Sequence, residues 1–310
     1  MGLKQLVYFA LGLFVVPYIH AQRPANTSIC DFYTTALLKN NTAENQLTLL
    51  TLLVNTVVIG NYTQPNVGVK VPGILAPGVQ DGVAVDLLGF FNGSMKIANR
   101  NNKPASVNFL DDGGATPLMQ NKPANTQTSN QYFLLTHLYQ FFGKLLGCSQ
   151  EDTSGFPSYS GVNGQFEVHK FMNISKPQMD YFITQVGLAA LSFGVSKDDV
   201  TIVGNALNST FARRCSPPVA VIPDQGSHLE AICINPNCVL ATSAVCAQYQ
   251  VAATGTAGSG ASAASSLVPS GSASGSSKPG GTSGSGKLSL SFPACGLLVV
   301  ATWIGAIVIM

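Results

Sequence analysis

Two apolar runs, from Leu6 to Ile19 and from Leu297 to Met310, bracket this chain and set how much of it is available to fold. The first follows Lys4 and precedes the small residue Ala21. That is the charge, core and cleavage order of a secretory signal peptide, so residues 1–21 are expected to be removed. The run is also shorter than the roughly 20 residues that a membrane span needs. The second run ends the stretch "GTSGSGKLSLSFPACGLLVVATWIGAIVIM", which passes from small residues through a polar spacer to an apolar tail. This order predicts attachment of a glycosylphosphatidylinositol (GPI) lipid: a small-residue site, a spacer of about 8 to 12 residues, and a removable tail of about 10 to 20. Counting the spacer back from Leu297 places attachment between Gly280 and Ser285, at Ser283, with residues 287–310 in the discarded tail.

Residues 251–286 are rich in Gly, Ser, Ala and Thr and bury too little apolar surface to order themselves, so they are expected to form a stalk. The part left to fold spans residues 23–250, about 225 residues, enough for one sizeable core. Charged residues make up only 10% of the chain and the formal net charge is +2. A soluble domain usually carries about a quarter charged residues, and a balance this small provides no basic field for nucleic acid. Sugar is the expected substitute for surface charge. Asn26, Asn40, Asn61, Asn92, Asn173 and Asn208 each begin an Asn-x-Ser/Thr acceptor, and each predicts a solvent-facing loop or helix end.

Cysteine usage agrees with a secretory route. Cys295 lies in the discarded tail, which leaves Cys30, Cys148, Cys215, Cys233, Cys238 and Cys246, an even number expected to form three disulfides. The pairing stays open among the possible connectivities. The grouping of His228, Cys233, Cys238 and Cys246 does not match the ligand spacing of a zinc finger.

Periodicity predicts helices and few strands. Thr42 is an expected N-cap for a buried helix that ends near Gly60. Residues 61–130 are rich in Gly, Pro and Asn and are expected to be an extended, irregular insertion, with Asp111 and Asp112 in a turn and not in a calcium site. A core helix is expected over 131–146, with Phe133, Leu134, Leu138, Phe141 and Phe142 at helical spacing and Gly147 as its stop. A second helix begins at Ser175 with Pro177 in its first turn and runs to Gly194. A third opens on Ser196 with Asp199 in a capping-box-like start. His169 falls between the first and second of these.

The sequence "FFGKLLG", a loop carrying "SYSG", and then "VHKFMNISKPQMDYFITQVGLAALSFGVSKDDVTIVGNAL" resemble the C-terminal two thirds of a truncated haemoglobin. The resemblance covers about residues 130–213. It departs from that family's pattern in the extra stretch "QEDTSGF" and in the long insertion before residue 130. The leader and tail are similar to those of GPI-anchored surface proteins of the fungal type. The resemblance implies an all-α, globin-like fold, a truncated two-over-two helical sandwich, extended by the insertion and by a disulfide-rich segment over 215–246. It further implies haem as cofactor, with His169 as the proximal iron ligand. Leu134 and Leu138 would face the distal side beside Phe141 and Phe142, with His137 at the pocket edge or, if the helix rotates, on the iron.

Haem iron needs a neutral imidazole nitrogen whose ring partner is held by a carbonyl, inside an apolar slot. The expected function is a cell-surface, GPI-anchored haem protein that binds oxygen or nitric oxide or captures haem, held at the plasma membrane or passed to the cell wall. Any enzymatic activity would be haem-dependent, peroxidase-like or of the nitric oxide dioxygenase kind, since no Gly-x-Ser-x-Gly elbow and no His-Glu-x-x-His helix is present. The competing expectation is a cofactor-free surface structural or adhesion glycoprotein on the same helical scaffold.

Overall fold

The computed structural model describes residues 22–63 and 66–251. The leader, the stalk, the tail and Ser283 lie outside the described residues. Helix α1 spans Ile29–Leu38, capped by Ser28, whose Oγ accepts the Asp31 N–H at 3.0 Å. Helix α2 spans Ala43–Ile59 between the N-cap Thr42 and Gly60. Leucine and valine cover most of its faces, and Leu49, Leu50, Leu53, Val54, Val57 and Val58 are all buried. A helix that is apolar all round has to lie inside the molecule. It packs on α4 (Asn130–Leu146) and α6 (Lys176–Ser192), and α6 packs in turn on α7 (Lys197–Phe211). Leu135, Phe142, Val186, Ala189, Phe193, Leu207 and Phe211 fill the space between these helices. The N-terminal segment is tied to α7 through Arg23, whose guanidinium lies 2.6 Å from the Asp199 carboxylate.

The segment 61–130 overturns the expected all-α, globin-like sandwich. It forms two antiparallel hairpins, so the fold is mixed α/β. Strand β1 (Gly78–Gln80) pairs with β2 (Val83–Val85), and β3 (Asn92–Arg100) pairs with β4 (Lys103–Asn108). The cause lies in the turns. Asp81 and Gly82 have φ of +50° and +79°, and Asn101 and Asn102 have +51° and +62°. Asp-Gly and Asn-rich pairs adopt positive φ at low cost, and two such residues match the twist of paired strands. A short helix α3 (Ala115–Leu118) follows. Asp111 accepts the Asn130 and Gln131 N–H groups, and Asp112 accepts from Thr126, so both carboxylates serve turns and the start of α4.

The insertion is bound to the helices by backbone approach. Gly60 and Gly73 both have φ of +84°, and a Cβ on Gly60 would lie 2.6 Å from the Val71 carbonyl. The Gly73 N–H donates to Gln185 Oε1 on α6 at 3.0 Å. Where α6 crosses α7, a cavity of about 20 Å³ is lined by Gly187, Val200, Gly204 and Leu207. A Cβ on Gly204 would meet no neighbouring side chain or other element. Gly204→Ala is therefore expected to raise stability by about 1 kcal/mol, from helix propensity alone. A urea midpoint that stays unchanged or falls would contradict the open space at this crossing.

Candidate functional site

His169 is the last residue of a fifth helix, α5 (Gln165–His169), and does not sit in a loop as expected. Gly164 starts this helix at φ +77°, where a Cβ would lie 3.0 Å from His228 Cβ. The helix is only five residues long, too short to stand alone in water, so tertiary contacts must hold it. The C-terminal extension supplies most of them. Gln165 N–H donates to Glu230 Oε2 at 2.9 Å, Phe166 N–H donates to the Leu229 carbonyl at 3.1 Å, and the Phe166 and Tyr249 rings meet edge-on at 4.7 Å. From the other side, Asn99 Nδ2 on β3 donates to the Glu167 carbonyl at 2.8 Å. Burial pushes the Glu230 carboxyl up to about 7, against the pull of the Gln165 N–H.

The spacing from Gln165 to His169 is one helical turn, and His169 Nδ1 lies 2.8 Å from the Gln165 carbonyl. A carbonyl only accepts, so Nδ1 carries the proton and Nε2 presents its lone pair. Burial, which favours the neutral ring, lowers the His169 pKa, and the bond to the Gln165 carbonyl opposes it. Among the described residues Nε2 has no hydrogen-bond partner. A neutral imidazole oriented through Nδ1 is the donor arrangement that a single axial position on haem iron requires. The donor chemistry present fits that group.

On α4, Leu134, His137, Leu138 and Phe141 are half-buried, and Phe133 is exposed. Tyr159 lies over this face, its ring centroid 5.9 Å from His137 and 5.5 Å from Phe141. Burial pushes the Tyr159 phenol up and lowers the His137 pKa. Phe142 is on the other side of α4, buried in the helical core. It helps line an apolar cavity of about 40 Å³ with Tyr33, Leu50, Val186 and Val203. Neither this cavity nor the one at the α6–α7 crossing touches His169, Leu134 or Leu138. α5 packs on β3, and α4 and α5 are not a packed pair.

Gln165, Glu230 and Tyr249 were not foreseen as parts of this region, whereas Tyr159 belongs to the "SYSG" loop of the resemblance. Gln165 alone had a local signal, a glycine followed by two polar groups one turn apart. The others arrive from distant segments. His228, the third histidine of the expected mature chain, bonds the Gln225 carbonyl through Nε2 at 2.7 Å.

The six cysteines form three disulfides, Cys30–Cys148, Cys215–Cys246 and Cys233–Cys238, consistent with a secreted protein. Among the described residues no cluster of His, Cys, Asp and Glu has the geometry of a metal site, and no helix is long and apolar enough to cross a membrane. Comparison with protein-family models, curated proteins and solved structures finds no match to this chain.

Proposed function

We propose that this chain is a haem protein of the cell surface, secreted and held by a GPI lipid at Ser283, with His169 Nε2 as the axial ligand. The observation that carries the proposal is the His169 ring, turned by the Gln165 carbonyl at 2.8 Å so that its second nitrogen is unengaged. The resemblance of residues 130–213 to truncated haemoglobins supports the same reading. The resemblance assigns the apolar distal wall to Leu134, Leu138 and Phe141, with His137 at its edge. Glu230 and Leu229 position α5, and thereby His169, through the Gln165 and Phe166 N–H groups. When bound, haem supplies an iron site for a diatomic ligand such as oxygen or nitric oxide. Capture of haem itself needs the same residues.

The test is a visible spectrum of the secreted chain supplied with stoichiometric haem. A Soret band is expected. His169→Ala is expected to weaken haem binding at least about tenfold while leaving the far-ultraviolet circular dichroism unchanged, because the axial bond is lost and the core is untouched. His137→Ala is expected to change the spectrum little. A chain that never takes up haem, or a His169→Ala variant with an unaltered Soret band, would leave the cofactor-free surface glycoprotein as the better reading.

A further inference from the structure

Among the described residues, Arg23 is the first whose side chain the fold holds. Its Nε and Nη2 donate to Asp199 Oδ1 at 2.9 and 2.6 Å, and its Nη1 donates to the Thr27 carbonyl at 2.6 Å. The side chains of this ion pair are 7% and 6% exposed. On the same carboxylate, Oδ2 accepts from the Tyr33 hydroxyl at 2.8 Å, and the Tyr33 oxygen in turn accepts the Ser196 N–H at 2.9 Å. Burial pushes the Asp199 carboxyl up, but the bonds from Arg23 and Tyr33 prevail and hold it below its ordinary range. One buried ion pair thus joins the N-terminal segment and α1 to the first turn of α7. Taking the cation away would leave the carboxylate buried without its counter-charge, which is strongly destabilising.

Arg23 is also the second residue of the expected mature chain. Gln22 before it is exposed and, among the described residues, makes no hydrogen bond. Chain ends are where proteolysis concentrates, and local fraying is enough to present them. An aminopeptidase that takes Gln22 is stopped at Arg23, because the next bond leads to Pro24, whose nitrogen carries no hydrogen and whose ring fixes the backbone. The Arg-Pro end so formed is what a post-proline dipeptidyl peptidase removes as a unit. Two ordinary cuts would therefore take the cation from Asp199. Glutamine is suited to block the first of them, since its side-chain amide carbon lies one five-membered ring away from its own α-amine. Closing that ring on Gln22 gives up no hydrogen bond of the fold.

We propose that the mature chain begins at Gln22 cyclised to pyroglutamate, and that this cap protects the Arg23–Asp199 tie between the N-terminal segment and α7 from trimming. The α-amine nitrogen of Gln22 attacks its own Cδ, an N–Cδ bond forms, the Cδ–Nε2 bond breaks, one amine proton moves to the leaving nitrogen and ammonia departs. The product is a neutral lactam with no free amine for an aminopeptidase to engage. This inference rests on the secretory reading of the leader and is independent of haem.

The full chain is secreted from eukaryotic cells, and its N-terminal peptide, freed of N-linked sugar, is read by mass spectrometry. A synthetic peptide of residues 22–39 with an open Gln22 is carried through the same handling. The peptide from the chain is expected to begin at residue 22 and to be lighter by one ammonia, while the synthetic peptide stays open. A chain that begins at residue 22 with a free amine would overturn the cyclisation and leave the leader reading intact. An uncleaved leader or a different first residue would overturn both. In a second arm the folded chain is treated with an aminopeptidase and a post-proline dipeptidyl peptidase together. The unmodified sequence is expected to keep its first residues, whereas Gln22→Ala is expected to lose residues 22–24 and, with them, about tenfold or more in the folding equilibrium constant read from urea unfolding. Treating the unmodified sequence first with a pyroglutamyl peptidase is expected to give the same loss. Trimming of the Gln22→Ala variant without a fall in its unfolding midpoint would overturn the protective role, as would survival of residues 22–24 in that variant.

Discussion

Replacing Cys30 and Cys148 together with alanine is expected to lower the stability of the folded chain by about 5 kcal/mol, because the cross-link closes a loop of more than a hundred residues in the unfolded state. The two cysteines are 118 positions apart and join α1 to the segment just beyond α4. The bond also anchors a polar cluster. Asp31 Oδ1 accepts from the Ser149 N–H at 3.0 Å and from Gln46 Nε2 at 2.7 Å, and Gln46 Oε1 accepts from the Gln150 N–H at 2.9 Å. Cys233 and Cys238 are only five positions apart, so the same loop-entropy argument gives their removal about 2 kcal/mol. A loss of about 5 kcal/mol is a large share of the stability of an ordinary domain, so the first variant is expected to be partly unfolded at 37 °C. Guanidinium unfolding of both double variants tests the order. Equal midpoints would show that native contacts, and not loop closure, set the contribution of each bridge.

The second large effect concerns Glu151. It is 6% exposed, and among the described residues neither carboxyl oxygen has a hydrogen-bond partner. It lies against α4, where a Cβ on Gly143 would come 2.7 Å from Phe156 Cζ and closer still to Glu151 Oε2. The nearby ammonium of Lys144 is engaged by Asp152. Burial pushes the Glu151 carboxyl from 4.5 up to about 8, an effect that Lys144 only partly offsets. The folded chain thus keeps this proton up to about pH 8, whereas the unfolded chain releases it near 4.5. Between those values the unfolded state binds fewer protons, so stability falls as pH rises through the window and levels off above it. At pH 7 the accumulated penalty is on the order of 3 kcal/mol, absent below the unfolded value. Glu151→Gln keeps the shape and removes the titration. Its urea midpoint is expected to match that of the unmodified chain near pH 4.5 and to exceed it clearly at pH 8. Parallel pH profiles for the two proteins would mean that Glu151 ionises without strain.

Much of the helical frame was legible in the residues. Thr42, Ser175 and Ser196 cap α2, α6 and α7, and Gly60 and Gly147 close α2 and α4, because capping is a local exchange between a side chain and the next turn. The apolar spacing in α4, α6 and α7 similarly carried its own direction. The two hairpins were written in Gln80-Asp81-Gly82-Val83 and Arg100-Asn101-Asn102-Lys103, but β1 and β2 are only three residues each and β3 and β4 mix polar and apolar residues without regular alternation, so the pattern did not reveal them. With those strands, the all-α expectation gave way to a mixed fold.

The sequence by itself determined the even cysteine count, the six acceptor motifs, the starts of α2, α6 and α7, the extent of α4 and the presence of one histidine between α4 and α6. Which cysteines pair and what holds that histidine were decided only in three dimensions. His169 shows the division. Its bond to the Gln165 carbonyl is a single turn of helix and could be read locally, yet α5 is too short to exist without Glu230, Leu229 and Tyr249 on one side and Asn99 on the other. Those partners lie more than 60 residues away along the chain in both directions. Pairings over such separations depend on how the whole core closes, because loop entropy opposes each one and only the completed packing offsets it.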